Sequence, residues 1–131
     1  MQTVDVVCTL RKDACGVFLR TVPFARIARV LLPKHYTLSV ALTGDARARR
    51  INRVYRKKTR APNVLSFPLE KYVGEIILNV RKAEREARSL NIGRKARIAH
   101  LYIHAVLHLR GMRHGMAMER RERYELKKFG F

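Results

Sequence analysis

Apolar residues recur along this chain with two different periods, and the alternation between them predicts an α+β order. Thr3 to Leu10 is rich in Val and Thr and reads as a first strand. Arg11 to Gly16 reads as a turn. Phe24, Ile27, Val30 and Leu31 then follow at helical spacing behind Pro23, and Pro33 ends that helix. Tyr36, Leu38, Val40 and Leu42 alternate, which predicts a second strand. Asp45 is placed to cap a helix from Ala46 to about Tyr55. Val64 to Phe67 predicts a short strand stopped by Pro68, and Glu75 to Leu78, behind Gly74, a fourth. Helices are expected from Arg81 to Leu90, closed by Asn91-Ile92-Gly93, then through a histidine-bearing stretch, then from Glu119 to Lys128. No repeat, linker or low-complexity tract interrupts this order. Residues 1–131 are therefore expected to form a single α+β domain, with a small mixed sheet of about four strands packed with helices. The histidine helix is expected to lie against that sheet.

That helix carries the candidate chemistry. From Ile98 to Leu109 it is apolar on nearly every face, the signature of a buried helix. Into it are set His104 and His108, and His114 follows, in the pattern H-x3-H-x5-H. His104 and His108 stand at i and i+4, so both rings leave one helix face and can share an ion. Gly111 can take the left-handed conformation that ends a helix and lets the chain fold back with His114. Ordinary packing histidines are the plainer explanation, but buried imidazoles need partners, and one ion satisfies three. Three protein ligands leave a tetrahedral zinc site one open position, the arrangement of catalytic sites. One Zn²⁺ per chain is expected. His100 lies eight residues before His108, about 12 Å along the axis, and is expected outside the ligand set as a supporting or packing residue. The spacing also matches the metzincin pattern H-E-x-x-H-x-x-G-x-x-H. The glutamate that serves there as general base is here Ala105, which argues against peptidase chemistry.

Composition changes the picture through charge. Lys and Arg number 29 against 10 acids, a net charge of +19, with a pI near 11.2. So large an imbalance points to a polyanionic partner, nucleic acid before acidic membrane. No basic amphipathic helix with bulky apolar anchors stands out, so no membrane partner is expected, nor a small-molecule cofactor. Between Arg47 and Arg60 stand Arg47, Arg49, Arg50, Arg53, Arg56, Lys57, Lys58 and Arg60 with no acid among them. Without glutamates to make i,i+4 pairs, this run is better explained by phosphates than as a solvated face. Cys8 and Cys15 are expected as two reduced thiols rather than a redox pair or zinc ligands, since no CxxC spacing is present. The first residues lack a basic segment followed by an apolar core, so a cytoplasmic protein is expected.

Several segments resemble the bacterial YbeY family of ribosomal-RNA maturation factors. Ile51-Asn52-Arg53-Val54-Tyr55-Arg56-Lys57-Lys58 resembles the family's LN-x-x-YRGK stretch. Pro62-Asn63-Val64-Leu65-Ser66-Phe67-Pro68 resembles T-D/N-VLSFP, and Gly74-Glu75-Ile76 resembles G-D/E-I. His100 to His114 is similar to H-x3-HG-x-LHL-x-GYDH. The blocks keep the family's order. The resemblance implies a single-domain, metal-dependent endoribonuclease that acts on single-stranded ribosomal RNA, matures the ends of the small-subunit species and takes part in ribosome quality control. Its partners would be ribosomal RNA and the small subunit. Carried over, His104, His108 and His114 would hold zinc, and Arg56 would act at the site. Asn63 and Ser66 would stand on the strand beside it, and with Arg49, Arg53 and Lys57 of the basic run they are the candidate RNA contacts. The chain departs from the pattern at Ala105, Met112 and Arg113, where the family has glycine, tyrosine and aspartate, and at Lys57 and Pro62. With Ala105 lacking a carboxylate, the attacking group is either water on the metal or the RNA's own 2′-hydroxyl. Two other readings stand beside the nuclease: a non-enzymatic ribosome-assembly factor with a structural metal, and a metalloprotease lacking its general base.

Overall fold

A computed structural model describes the backbone of residues 1–131 and the side chains of all but residues 12 and 13. The chain runs β1 (Thr3–Cys8), α1 (Lys12–Thr21), α2 (Phe24–Leu31), β2 (Thr37–Thr43), α3 (Asp45–Arg56), β3 (Val64–Glu70), β4 (Val73–Asn79), α4 (Val80–Leu90), α5 (Arg94–Leu109) and α6 (Met116–Lys128). The strands form one mixed sheet in the order β1-β2-β4-β3. β1 and β2, and β2 and β4, pair in parallel; β3 and β4 form an antiparallel pair. This is the expected α+β domain.

Strand alternation decides which side chains meet which helix. Val6, Val40, Ile76 and Ser66 share one row of the sheet, and Cys8, Leu42, Leu78 and Val64 the next. These rows face the main core, built with α1, α2 and α5. Ile77 and Leu65 point to the opposite face, where α3 packs on β4. α5 lies against β3 and β4, as its apolar composition requires, and Ile98, Ile103, Val106 and Leu107 are wholly buried. Each such side chain contributes about 1.5–3 kcal/mol by leaving water. Tyr102 ties α5 to α2: its hydroxyl donates to the Phe24 carbonyl at 2.9 Å, and its ring meets Phe24 edge-on at 4.8 Å.

Two positions on β4 set how the helices meet the sheet. Gly74 of β4 lies under the last turn of α5. A Cβ there would collide with the Tyr36 hydroxyl and stand 3.0 Å from Leu109 Cδ1, so only glycine fits. Asn79 is buried at the end of β4 and caps α4 by accepting from Lys82 N at 3.1 Å. Its amide also donates to Asp45 Oδ1 at 2.9 Å and to the Pro62 carbonyl at 3.1 Å, which ties α3, α4 and the entry to β3 together.

Four expectations are corrected. Residues 11–16 are not a turn, because α1 begins at Lys12 and buries Cys15, Phe18 and Val22 at helical spacing. Cys8 and Cys15 are not free thiols but form a disulfide, with Cα atoms 6.2 Å apart. The two corrections share a cause: α1 folds back on the end of β1 and brings Cys15 to Cys8. Asp45 does not cap α3. Gly44 holds that position, and the carboxylate serves Asn79 and Arg85 instead. Pro68 does not stop β3, which continues to Glu70. β3 is a sheet edge, where a missing N–H costs nothing, and the register shifts just after the proline.

Candidate metal centre

The last turn of α5 and the reversal after it place the three histidines. Met112 N donates to the Leu107 carbonyl at 3.0 Å, and Gly111 N to the His108 carbonyl at 2.9 Å, closing the helix end. Gly111 has φ 102°, and a second glycine, Gly115, has φ 153° on the far side of His114. Between them the chain turns back and sets His114 beside the i,i+4 pair. Ring centroids stand 4.6 Å apart for His104 and His108, 5.1 Å for His104 and His114, and 4.4 Å for His108 and His114. His108 Nε2 and His114 Nε2 face each other at 3.2 Å.

Whether a metal fits can be judged from these donors. At the usual zinc–nitrogen distance of roughly 2.0–2.1 Å, two nitrogens of a tetrahedral site stand about 3.3 Å apart, close to the observed separation. The three candidate ligand atoms all lie within 4.8 Å of one another. Burial, and then the neighbouring His104 and His114, push the His108 pKa down and favour the neutral ring a ligand needs. Among the described residues, these three form the group able to hold an ion.

Glu122 of α6 supports the cluster, and nothing in the sequence motif announced it. It is only 6% exposed. His104 Nδ1 donates to its Oε2 at 2.6 Å, which leaves Nε2 of His104 for a metal. The other oxygen holds His100 Nε2 at 2.9 Å, so His100 stands beside the cluster rather than in it. Burial pushes the Glu122 carboxyl up, but the hydrogen bonds and charge of His104 and His100 outweigh it and hold the carboxyl below its ordinary value. The one available sequence signal is period: Met118, Glu122 and Glu125 share the buried stripe of α6. Ala105 is buried in the core, so no carboxylate follows the first ligand.

A cleft of about 440 Å³ opens beside the cluster, with His104 and His114 in its wall. Its cations are Arg56, Lys58, Arg60 and Lys82. Arg56 closes α3, donates to the Ser66 carbonyl at 3.1 Å, and lies over the Phe67 ring at 5.4 Å. Lys57 takes a left-handed conformation at the helix end (φ 55°) and turns the chain toward Lys58 and Arg60. The Asn52 amide holds the Arg60 carbonyl at 3.0 Å, and Lys82 Nζ holds that of Ala61 at 2.8 Å. Asn63 also lines the cleft, its amide held by Glu86. Of the other candidate RNA contacts, Ser66 meets Arg56 through its carbonyl, while Arg49, Arg53 and Lys57 are exposed on α3 and its end, outside this lining.

With this geometry in hand, comparison with known proteins gives a consistent result. The family model described as Endoribonuclease YbeY matches residues 16–129. The chain belongs to the YbeY family. It is 38% identical over 94 residues to Endoribonuclease YbeY of Methylobacillus flagellatus, covering 70% of this chain and 63% of that one. It is 33% identical over 144 residues to Endoribonuclease YbeY of Methylibium petroleiphilum, covering 93% and 97%. The matched stretch thus spans under two thirds of the Methylobacillus relative, and 62% of the Aquifex aeolicus one. The solution structure of TM1509 from Thermotoga maritima shares the fold, with a TM-score of 0.70 at 20% identity over 97% of this chain and 89% of that one. Among the described residues, no helix is long and apolar enough to cross a membrane.

Proposed function

We propose that this YbeY-family chain is a zinc-dependent endoribonuclease that cuts single-stranded ribosomal RNA, matures the ends of the small-subunit species and serves in ribosome quality control. The observation that carries this reading is the juxtaposition of the histidine cluster with a cleft lined by four cations. A metal ion held by His104, His108 and His114 supplies Lewis acidity toward a phosphoryl oxygen and lowers the pKa of water. The remaining work falls to the chain itself. Glu122 fixes the ring of His104 through its Nδ1 proton. Lys58, Arg60 and Lys82 hold the RNA backbone in the cleft. The Ser66 carbonyl takes one N–H of Arg56, which leaves its other donors to fork onto phosphate oxygens as charge develops. Outside the cleft, Arg49, Arg53 and Lys57 extend the cationic surface along α3.

One observation favours a second reading, a ribosome-assembly factor with a structural metal. Ala105 offers no base, and both oxygens of Glu122 are committed to histidines. The deciding experiment incubates purified protein with single-stranded and duplex fragments of small-subunit ribosomal RNA, with zinc and with chelator. The nuclease reading expects metal-dependent cleavage of the single strand, lost in Arg56→Ala. Tight binding of the same RNA without cleavage, with zinc loaded, would favour the assembly factor.

A further inference from the structure

A second cleft, of about 280 Å³, opens on the other side of the histidines, between α5, α6 and β3. It shares Asn63, Val64, His104 and His114 with the cationic cleft, so a ligand at the cluster reaches both. Its chemistry is the opposite. In place of four cations it presents Glu119 and Glu122, and its one arginine, Arg97, is bound to Glu86 at 2.9 Å. A phosphate entering here would meet two carboxylates. An uncharged planar group would meet the apolar side chains of Val64, Leu101 and Met118 with polar atoms at the edge.

We propose that this cleft is a nucleobase subsite that takes the base next to the scissile phosphate and favours guanine. The proposal rests on the ribonuclease reading and adds a specificity to it. The count of unspent polar groups selects the base. Asn63 Nδ2 stands 3.2 Å from both carboxylate oxygens of Glu86, a direction that a single shared N–H covers, so Asn63 keeps for a ligand its oxygen, an acceptor, and its second N–H. Glu122 is spent on His100 and His104, and both ring nitrogens of His100 are spent on Glu122 and Arg97. Glu119 is exposed, and an ionised carboxylate only accepts. Arg97 commits three N–H groups, two to Glu86 and one to His100, of the five a guanidinium carries. The cleft is therefore left with two acceptors, the Asn63 oxygen and the Glu119 carboxylate, beside donors on Arg97 and Asn63. Guanine alone among the four bases has two adjacent N–H donors, N1–H and the 2-amino group, beside an acceptor, O6. Adenine and cytosine turn a single amino donor to such an edge, and uracil a single N–H.

The test reads binding apart from cleavage. Zinc-loaded protein is titrated with the 5′-monophosphates of guanosine, adenosine, cytidine and uridine and with ribose 5-phosphate, following amide shifts by NMR. Guanosine monophosphate should bind at least about five-fold more tightly than the other three, the low end for a two-pronged base contact. It should shift the amides of His100, Gly115 and Glu119, and ribose 5-phosphate should leave them in place. Glu119→Gln keeps a helix-compatible side chain in the first turn of α6 but converts half the acceptor to a donor. It should bring the guanosine-to-adenosine ratio close to one and leave ribose 5-phosphate affinity unchanged, an outcome that a purely structural role for Glu119 would not give. Equal affinity for all four nucleotides, ribose 5-phosphate binding as tightly as guanosine monophosphate, or an unchanged ratio in Glu119→Gln each overturns the subsite. Cleavage of ribosomal RNA is measured on the same preparation, so loss of the nuclease reading shows there and loss of the base subsite shows in the titration.

Discussion

Helix α5 buries Ile98, Leu101, Tyr102, Ile103, Val106 and Leu107, while α3 buries only Ala48 and Asn52. The histidines of α5 are held by packing on several sides, by a glycine-shaped gap under Leu109, and by a buried glutamate on His104. The cations of α3 lie in water, offset within the helix by a single acid, Asp45. Under the proposed function, the contrast follows from what each region does. A metal site loses affinity when its ligands wander by fractions of an ångström, so its ligands belong on rigid, buried scaffold. Phosphate attraction is long-ranged and tolerant of position, so exposed side chains suffice. Arg56 belongs to both regions. It closes the exposed helix, yet the Ser66 carbonyl and the Phe67 ring fix it at the cleft.

The sharpest way to break the α5 side is His108→Ala. Bound metal should fall from about one ion per chain to near zero, and RNA cleavage should fall below detection, because two nitrogens cannot complete a three-ligand site. Metal analysis after dialysis, with circular dichroism to show retained helix, checks it. Full metal content in this variant would remove His108 from the ligand set. Arg56→Ala should act differently. Cleavage should slow by about 10²–10³, the cost of losing one preorganised donor, while metal content and thermal stability stay at wild-type values. Arg56→Lys should restore only part of the rate, since an ammonium cannot make the two-pronged contact. A wild-type rate in Arg56→Ala would take it out of the chemistry.

The same contrast explains what could be read from the sequence. His104, His108 and His114 were legible because helix period and one glycine set their spacing locally. The sheet was legible in Leu38, Val40 and Leu42, whose alternation needs no knowledge of partners. What failed depended on distant contacts. Arg11 to Gly16 carries charges and a glycine that resemble a turn, although Cys15, Phe18 and Val22 already stood at helical spacing. Packing on β1 decides for helix, and the Cys8–Cys15 disulfide follows from that packing. β3 passes through Pro68 because it is an edge, a property of strand order. Glu122 was invisible because its approach to His104 is made by the reversal between α5 and α6, eighteen residues of chain that no local motif joins. Lys82 reaches the cationic cleft in the same indirect way, from α4.

The exposed side is broken more gently. Replacing Arg49, Arg53 and Lys57 together with alanine should weaken binding to single-stranded RNA of any sequence. It should also flatten the dependence of log affinity on log salt by up to about 2, at roughly 0.7 per lost phosphate contact. Metal content should not change, because these side chains lie outside the cleft. Fluorescence anisotropy at several salt concentrations measures both slopes. An unchanged slope would show α3 to be a solvated face.

The smallest effect concerns how α3 is moored. Asp45 is its only acid, and its carboxylate accepts from Arg85 at 2.8 and 2.9 Å and from Asn79 at 2.9 Å. The Arg85 hydrogen bonds pull its pKa down against the upward push of burial, with Asn79 adding to the fall, from 3.8 to about 2. Since the folded state holds this proton more weakly than the unfolded chain, the stabilisation is complete at pH values well above 3.8. It is lost as pH falls from there toward 2. Asp45→Asn should therefore unfold at lower urea than wild type between pH 5 and 7, by a constant margin. That margin should shrink between about pH 4 and pH 2 as the wild-type carboxylate takes its proton. The asparagine keeps a side-chain oxygen for Asn79 and loses the ion pair to the exposed Arg85, so a small margin is expected. A margin that persists unchanged at pH 2 would assign the mooring to neutral hydrogen bonds rather than to charge. RNA affinity and its salt slope should be nearly the same in both proteins, because Asp45 holds α3 at the end remote from Arg56.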